Sequence, residues 1–249
     1  MYFQVGATPQ QLVVYGNGSS NTGVAWTMNP PLGTLTNGGL YTPPGSVQQV
    51  TTTTVTATSL ADPAVSATMR LTVFPGGSIR IVNGQPTPYT DSHGNVWANM
   101  TGDDGGFSYD NGGNFPNVPD ITLYKISYNA YDSGGDMRFD FYVPNGSYNI
   151  IAKKSSQTCA PGESMSFEAQ GVVAYRDADV FVLAGGCHQP HDFTLPATVT
   201  TGLLSFVIRT GSTSTYGANI EALEIDPGQG TTPPTSPIPP TGVSIMDVK

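Results

Sequence analysis

The chain has 249 residues, enough for two domains of ordinary size. Only 11% of them are charged, and the formal net charge is −9. That balance excludes a phosphate-binding surface, because nucleic-acid affinity rests on clustered Lys and Arg and the nine basic residues here are scattered. No apolar run approaches the ~20 residues that span a bilayer. Runs of Ala, Leu, Glu and Lys are missing. Short runs of Val, Ile, Thr, Tyr and Phe between Gly, Pro, Asn and Asp instead predict an all-β chain.

Met1-Tyr2-Phe3-Gln4 reads as an artificial scar or as what remains after removal of an export leader, and it is set aside from the functional reading. A first unit, residues 1–75, follows. Gln11 to Tyr15 is a short apolar strand. Val24 to Met28 places Val24, Trp26 and Met28 on one face. Val47 to Ser59 and Ala64 to Phe74 are longer alternating strands joined through Ala61-Asp62-Pro63. Their period of two puts Val50, Val55 and Ala57, then Val65, Ala67, Met69, Leu71 and Val73, on core-facing sides.

Several stretches of this unit carry a likeness: Val24-Ala25-Trp26-Thr27 with Asn29-Pro30, Gly33-Thr34-Leu35, Gly39-Leu40-Tyr41-Thr42-Pro43-Pro44, Thr54 to Ser59, and Asp62-Pro63. On these residues the unit resembles bacterial Ig-like domains. The resemblance implies a β-sandwich spacer of an exported bacterial protein, with Trp26 in its core. Such domains start with a further strand before the Gln10-Gln11 region, which the chain lacks on this reading. A sandwich without that strand exposes an edge able to accept another one.

A second unit spans 76–227. Ile79 to Val82 opens it, and a Gly-, Asp- and Asn-rich stretch runs from Asn83 to Asp120. Strands are then expected at 125–130, 137–143, 147–153, 164–169, 180–184, 192–199, 203–209 and 219–226, a spacing that suits a jelly-roll-type sandwich. Ala218 to Ile225 reads as an alternating strand with outward glutamates. Cys159 and Cys187 fall in loop-like contexts and are expected to form a disulfide in an oxidising compartment.

Five pieces of this unit occur in a telling order: Ile79 to Gly84, Tyr89 to Trp97, Leu123-Tyr124 with Tyr128, Phe139 to Lys154, and Ile220 to Ile225. Together they resemble malectin-like β-sandwiches, which are extracellular glycan-binding modules. The resemblance implies a saccharide held among loops at one end of the sandwich. Aromatic rings would cover the apolar face of the sugar, and carboxylates or amides would meet its hydroxyls. Candidates for those roles are Tyr109, Tyr124, Tyr128, Tyr131 and Tyr216, with Asp91, Asp132 and Asn219. The chain departs from the family at two places. Where the family's loop supplies aromatics it has Ser155 to Gly162, and where an Asp is expected it has Thr215-Tyr216-Gly217-Ala218.

Asp103, Asp104 and Asp110 supply hard oxygens in Gly-rich sequence and are candidates for calcium, the one cofactor the sequence admits. Cys187-His188-Gln189-Pro190-His191-Asp192 has no second ligand pair at zinc spacing and reads as a tethered loop. The acidic residues fit no catalytic pattern, and there is no G-x-S-x-G or phosphate loop, so a non-catalytic protein is expected.

Residues 228–249 begin as a Thr/Pro linker and end in a strand-like Gly242 to Val248. That strand opens a further domain or is donated to the first unit of a neighbouring copy. Two functions follow from these readings. One is an exported, cell-surface saccharide-binding module with no nucleic-acid or membrane partner. The other is a subunit of a bacterial surface filament joined through its C-terminal strand.

Overall fold

A computed structural model describes residues 1–16, 20–100, 107–113, 115, 118–130, 135–156, 159–212, 214, 216–228 and 243–247. The chain is all-β, as the alternation predicts. The strands of the first 75 residues are β1 (Tyr2–Gln4), β2 (Gln10–Tyr15), β3 (Val24–Asn29), β4 (Thr34–Leu35), β5 (Leu40–Thr42), β6 (Thr51–Ser59) and β7 (Ser66–Phe74). Next come β8 (Ile79–Val82), β9 (Tyr89–Thr90), β10 (Val96–Asn99), β11 (Phe107–Asp110), the helical turn α1 (Thr122–Lys125), β12 (Ile126–Asn129), β13 (Met137–Tyr142) and β14 (Gly146–Ser155). The rest are β15 (Ser164–Ala169), β16 (Val172–Asp179), α2 (Val180–Ala184), β17 (Pro190–Val199), β18 (Leu203–Thr210), β19 (Asn219–Ile220), β20 (Ala222–Pro227) and β21 (Val243–Asp247).

An eight-stranded sheet, in the order β16-β15-β18-β13-β1-β7-β6-β3, runs through the molecule. A six-stranded sheet, β17-β14-β20-β8-β10-β9, packs on its β16 half, and a four-stranded sheet, β21-β2-β5-β4, packs on its β3 half. The larger core lies between the first two. Alternate residues meet there: Phe139 and Phe141 of β13, Phe206 and Ile208 of β18, Ile150 and Ala152 of β14, and Leu223 and Ile225 of β20. Phe167 and Phe193 stack across it with ring centroids 4.2 Å apart. A fourth, three-stranded sheet, β11-β12-β19, adds Tyr128 and Ile220 to one end of this core.

Met1 to Gln4, set aside on sequence grounds, is structural. β1 pairs in parallel with β7 on one side and with β13 on the other, so it joins the two units into one sheet. Its neighbouring side chains point to opposite faces. Tyr2 enters the larger core, stacked on Phe141 at 5.1 Å. Phe3 enters the smaller one, between Tyr142 at 4.7 Å and Tyr41 at 4.9 Å. The first unit therefore carries a strand where the sequence reading finds none.

Three further expectations need correction. Residues 180–184 form a helical turn and not a strand. Asp179 caps it by accepting the Val182 N–H, and Gly185 ends it in the left-handed region at φ 80°. Here the two caps outweigh the β propensity of Val-Phe-Val. Val65, assigned to the core face, is exposed at the foot of β7. The third concerns the outward glutamates. Glu221 and Glu224 are three residues apart, so they face opposite ways. Glu224 pairs with Arg80 at 2.5 Å on the outer face, while Glu221 shares the inward side with Leu223 and Ile225 and is fully buried.

The C-terminal strand lies against the chain's own first unit. β21 runs parallel to β2, with Val243, Ser244 and Ile245 opposite Leu12, Val13 and Val14.

Candidate functional site

The end of the larger sandwich that bears the three-stranded sheet gathers most of the polar side chains that sequence reasoning assigned to a ligand, and the structure separates them by role. α1 presents Tyr124 half-buried, with its hydroxyl donating to Asp192 at 2.8 Å. Lys153, on the outer side of β14, donates to the other Asp192 oxygen at 2.8 Å. Its ammonium also lies 5.6 Å from the Tyr124 ring and 5.8 Å from the Trp97 ring. Burial first, and then the Asp192 charge, push the Tyr124 hydroxyl well above the usual phenol range, so it stays a neutral donor. This ring packs on the small buried cluster of Val82, Trp97, Leu123 and Ala222 and is held by a part-buried ion pair, which leaves it half-exposed. Tyr109 and Tyr216, 51% and 44% exposed, lie on β11 and just before β19, toward the two edges of the three-stranded sheet.

Other candidates are structural. Tyr128 is only 5% exposed and belongs to the larger core, so it cannot offer its ring to a sugar. Asp91 pins its own loop. One oxygen accepts the backbone N–H groups of His93 and Asn95, and the other accepts the Asn95 amide and the Trp97 indole N–H, each within 3.0 Å. Burial would raise its pKa, but these hydrogen bonds, led by that of Trp97, outweigh it and hold the carboxyl at about 2. Asp120 clamps the next turn by accepting from Tyr89 at 2.8 Å and from the Ser92 N–H at 2.7 Å. Asn219 is fully buried, away from any ligand surface. Tyr131 and Asp132 lie outside the described residues.

The calcium candidates divide in the same way. Asp103 and Asp104 lie outside the described residues. Asp110 accepts the Gly112 N–H at 2.8 Å and faces Lys125 at 3.5 Å on an exposed side chain. The expected disulfide is present between Cys159 and Cys187. Beside it, His188 Nε2 sits 3.5 Å from the Cys159 sulfur. With both sulfurs bonded to each other, this Cys-Cys-His group has no thiolate to offer a metal. The Asn111–Gly113 turn packs so closely on His188 that a Cβ on Gly113 would collide with its ring.

Beneath these loops sits a cluster that sequence reasoning missed. Lys154 follows Ile150 and Ala152 on the inner row of β14 and is fully buried. Its ammonium meets Glu221 at 3.0 Å, Glu163 at 3.8 Å and the Asn219 side chain in direct contact. Asn111 donates to Glu221 at 3.1 Å and to Ser155 at 2.9 Å, and Asn219 donates to Glu163 at 3.2 Å. The signal was available. Lys153 and Lys154 are adjacent on one strand, so one of them must face inward.

No family model matches the chain, and no curated protein matches it. Solved structures do. The ANX2 ectodomain of Arabidopsis thaliana shares 14% identity at a TM-score of 0.51, covering 70% of this chain and 64% of that one. The structure of the plant peptide RALF23 in complex with FER and LLG2 shares 10% at 0.52, covering 83% and 73%. Bacteroides uniformis β-glucuronidase 2 shares 14% at 0.52, with 82% of this chain matching 26% of that enzyme. At these identities the likeness is one of fold: the ectodomains are malectin-like β-sandwiches, and so is the sandwich built here. The chain spans under two thirds of the ANX2 ectodomain's length.

Proposed function

We propose that this chain is a non-catalytic, extracellular ligand-binding module whose ligand is a saccharide. The observation that carries the reading is the Tyr124 ring, clamped by Asp192 and Lys153 next to Trp97 at the loop end of a malectin-like sandwich. Such a ring covers the C–H face of a sugar, while the Asp192 carboxylate and the Lys153 ammonium take hydroxyls at its rim. Export is supported by the disulfide. No described helix is long and apolar enough to cross a membrane. Glu163 and Glu221 do not act as a hydrolytic pair, because both are closed off from solvent and engaged by Lys154.

Tyr124→Ala is expected to weaken retention on a binding polysaccharide at least tenfold in affinity-gel electrophoresis, with the fold intact by far-UV circular dichroism. Unchanged retention would refute the assignment of the site. Tyr128→Ala, cut from the core, is expected to act on stability instead.

A second reading, self-assembly by strand donation, is favoured by one observation: β21 pairs in parallel with β2 of its own chain. A strand that adds to this edge within one chain makes the same bonds to the edge of another copy. Light scattering of concentrated protein should then show oligomers that disappear on removal of residues 243–249. A monomer at every concentration would rule this assembly out.

A further inference from the structure

The cluster under the loops holds the parts of a chemical reaction. An amine (Lys154) touches a carboxamide (Asn219), and two carboxyl groups (Glu163 and Glu221) flank them. All four side chains are fully buried. Glu163 touches both reactants: its Oε1 accepts the Asn219 amide N–H at 3.2 Å and lies 3.8 Å from the Lys154 ammonium. Glu221 holds the ammonium from another side, with its oxygens at 3.0 and 3.3 Å. Around them lie the sandwich core and the buried hydroxyls of Ser155 and Ser156.

We propose that Lys154 and Asn219 join through an intramolecular isopeptide bond, formed by the folded chain itself with Glu163 and Glu221 as proton carriers. The ammonium of Lys154 passes a proton to the Glu221 carboxylate and becomes a neutral amine. The Nζ lone pair attacks Cγ of Asn219. The second proton shed by Nζ travels through Glu163 to Nδ2, the C–N bond to Nδ2 breaks, and neutral ammonia leaves while the first proton stays on the buried Glu221 carboxyl. One amide replaces another, nothing is oxidised or reduced, and no co-reactant enters. Aminolysis of an amide is negligible between free molecules in water. Three features of the site favour it here: contact geometry worth an effective molarity of roughly 10⁵–10⁸ M, exclusion of water, and apolar surroundings that favour the neutral amine–acid pair over the ion pair. Burial, the largest influence on it, holds the Glu221 carboxyl above the usual range against the pull of Lys154, which suits it to accept the proton.

The bond would tie β14 to β19 across 65 residues and fasten the three-stranded sheet to the main sandwich under the ligand loops. The test is intact-mass spectrometry of the full chain with Cys159–Cys187 reduced. The expected mass is one ammonia, about 17 Da, below that of the sequence. Proteolysis should give a branched peptide in which the Lys154 fragment stays joined to the Asn219 fragment. Asn219→Ala and Glu163→Gln should restore the mass expected from their sequences, and the branched peptide should vanish. The wild-type measurement needs no variant to fold. A full sequence mass, with Lys154 acylated by an amine reagent after denaturation, would overturn the proposal. So would a loss of ammonia with the two fragments separable.

Discussion

Lys154→Met is expected to destabilise the protein by about 3–5 kcal/mol, because the chain then folds with Glu163 and Glu221 buried without the ammonium that meets them and with no amine to form the bond to Asn219. For a chain of this size that corresponds to a fall in Tm of roughly 6–20 °C. The sign follows from the surroundings. Both glutamates are fully buried and meet the Lys154 ammonium as the chain folds, so removing the lysine costs more than the pair contributes when intact. Combining Lys154→Met with Glu163→Gln and Glu221→Gln should recover much of the loss, since neutral amides keep the hydrogen bonds from Asn111 and Asn219. Thermal melts of the single and triple variants decide the matter. A single variant within about 1 kcal/mol of wild type would mean that the cluster contributes little.

Phe3→Ala is the second large effect, at about 3–5 kcal/mol. Phe3 is fully buried between Tyr41 and Tyr142, and it reaches them from a strand only three residues long. Truncation opens a cavity between the four-stranded sheet and the shared one, on the face of β1 that Phe3 alone fills. Denaturant unfolding should show a lowered midpoint, and limited proteolysis should cut first within residues 1–75. Phe3→Leu, which keeps most of the volume, should cost under about 1.5 kcal/mol. If Phe3→Ala unfolds like wild type, β1 does not hold the two units together.

Much of the scaffold was legible because half-buried strands announce themselves by a period of two. The expected strands at 164–169 and 203–209 match β15 and β18 to within a residue. The five pieces that pointed to a malectin-like sandwich lie in its main elements. The misses have local physical causes. α2 was hidden because Val-Phe-Val favours strands wherever no caps intervene. β1 was hidden because Met1 to Gln4 reads as a scar, and three strand residues carry too little period to overturn that reading. The lysine–glutamate cluster was hidden by a habit of placing charges outside, although the spacing of Glu221 and Glu224 already forbade both from facing water. Site residues were harder still. A tyrosine in a β-rich chain packs in the core as readily as it meets a ligand, and only the three-dimensional setting separates Tyr128 from Tyr124.

The sharing of one sheet by both cores has a consequence for how ligands are met on a surface. With β1 hydrogen-bonded to β7 and β13 at once, the N-terminal unit has no swivel against the larger sandwich. The loop end is therefore presented at one fixed bearing relative to the first unit. On the proposed function, copies displayed in an array would find repeated saccharides only where the spacing of the targets matches that of the array. Their avidity would come from geometric match and not from flexible reach.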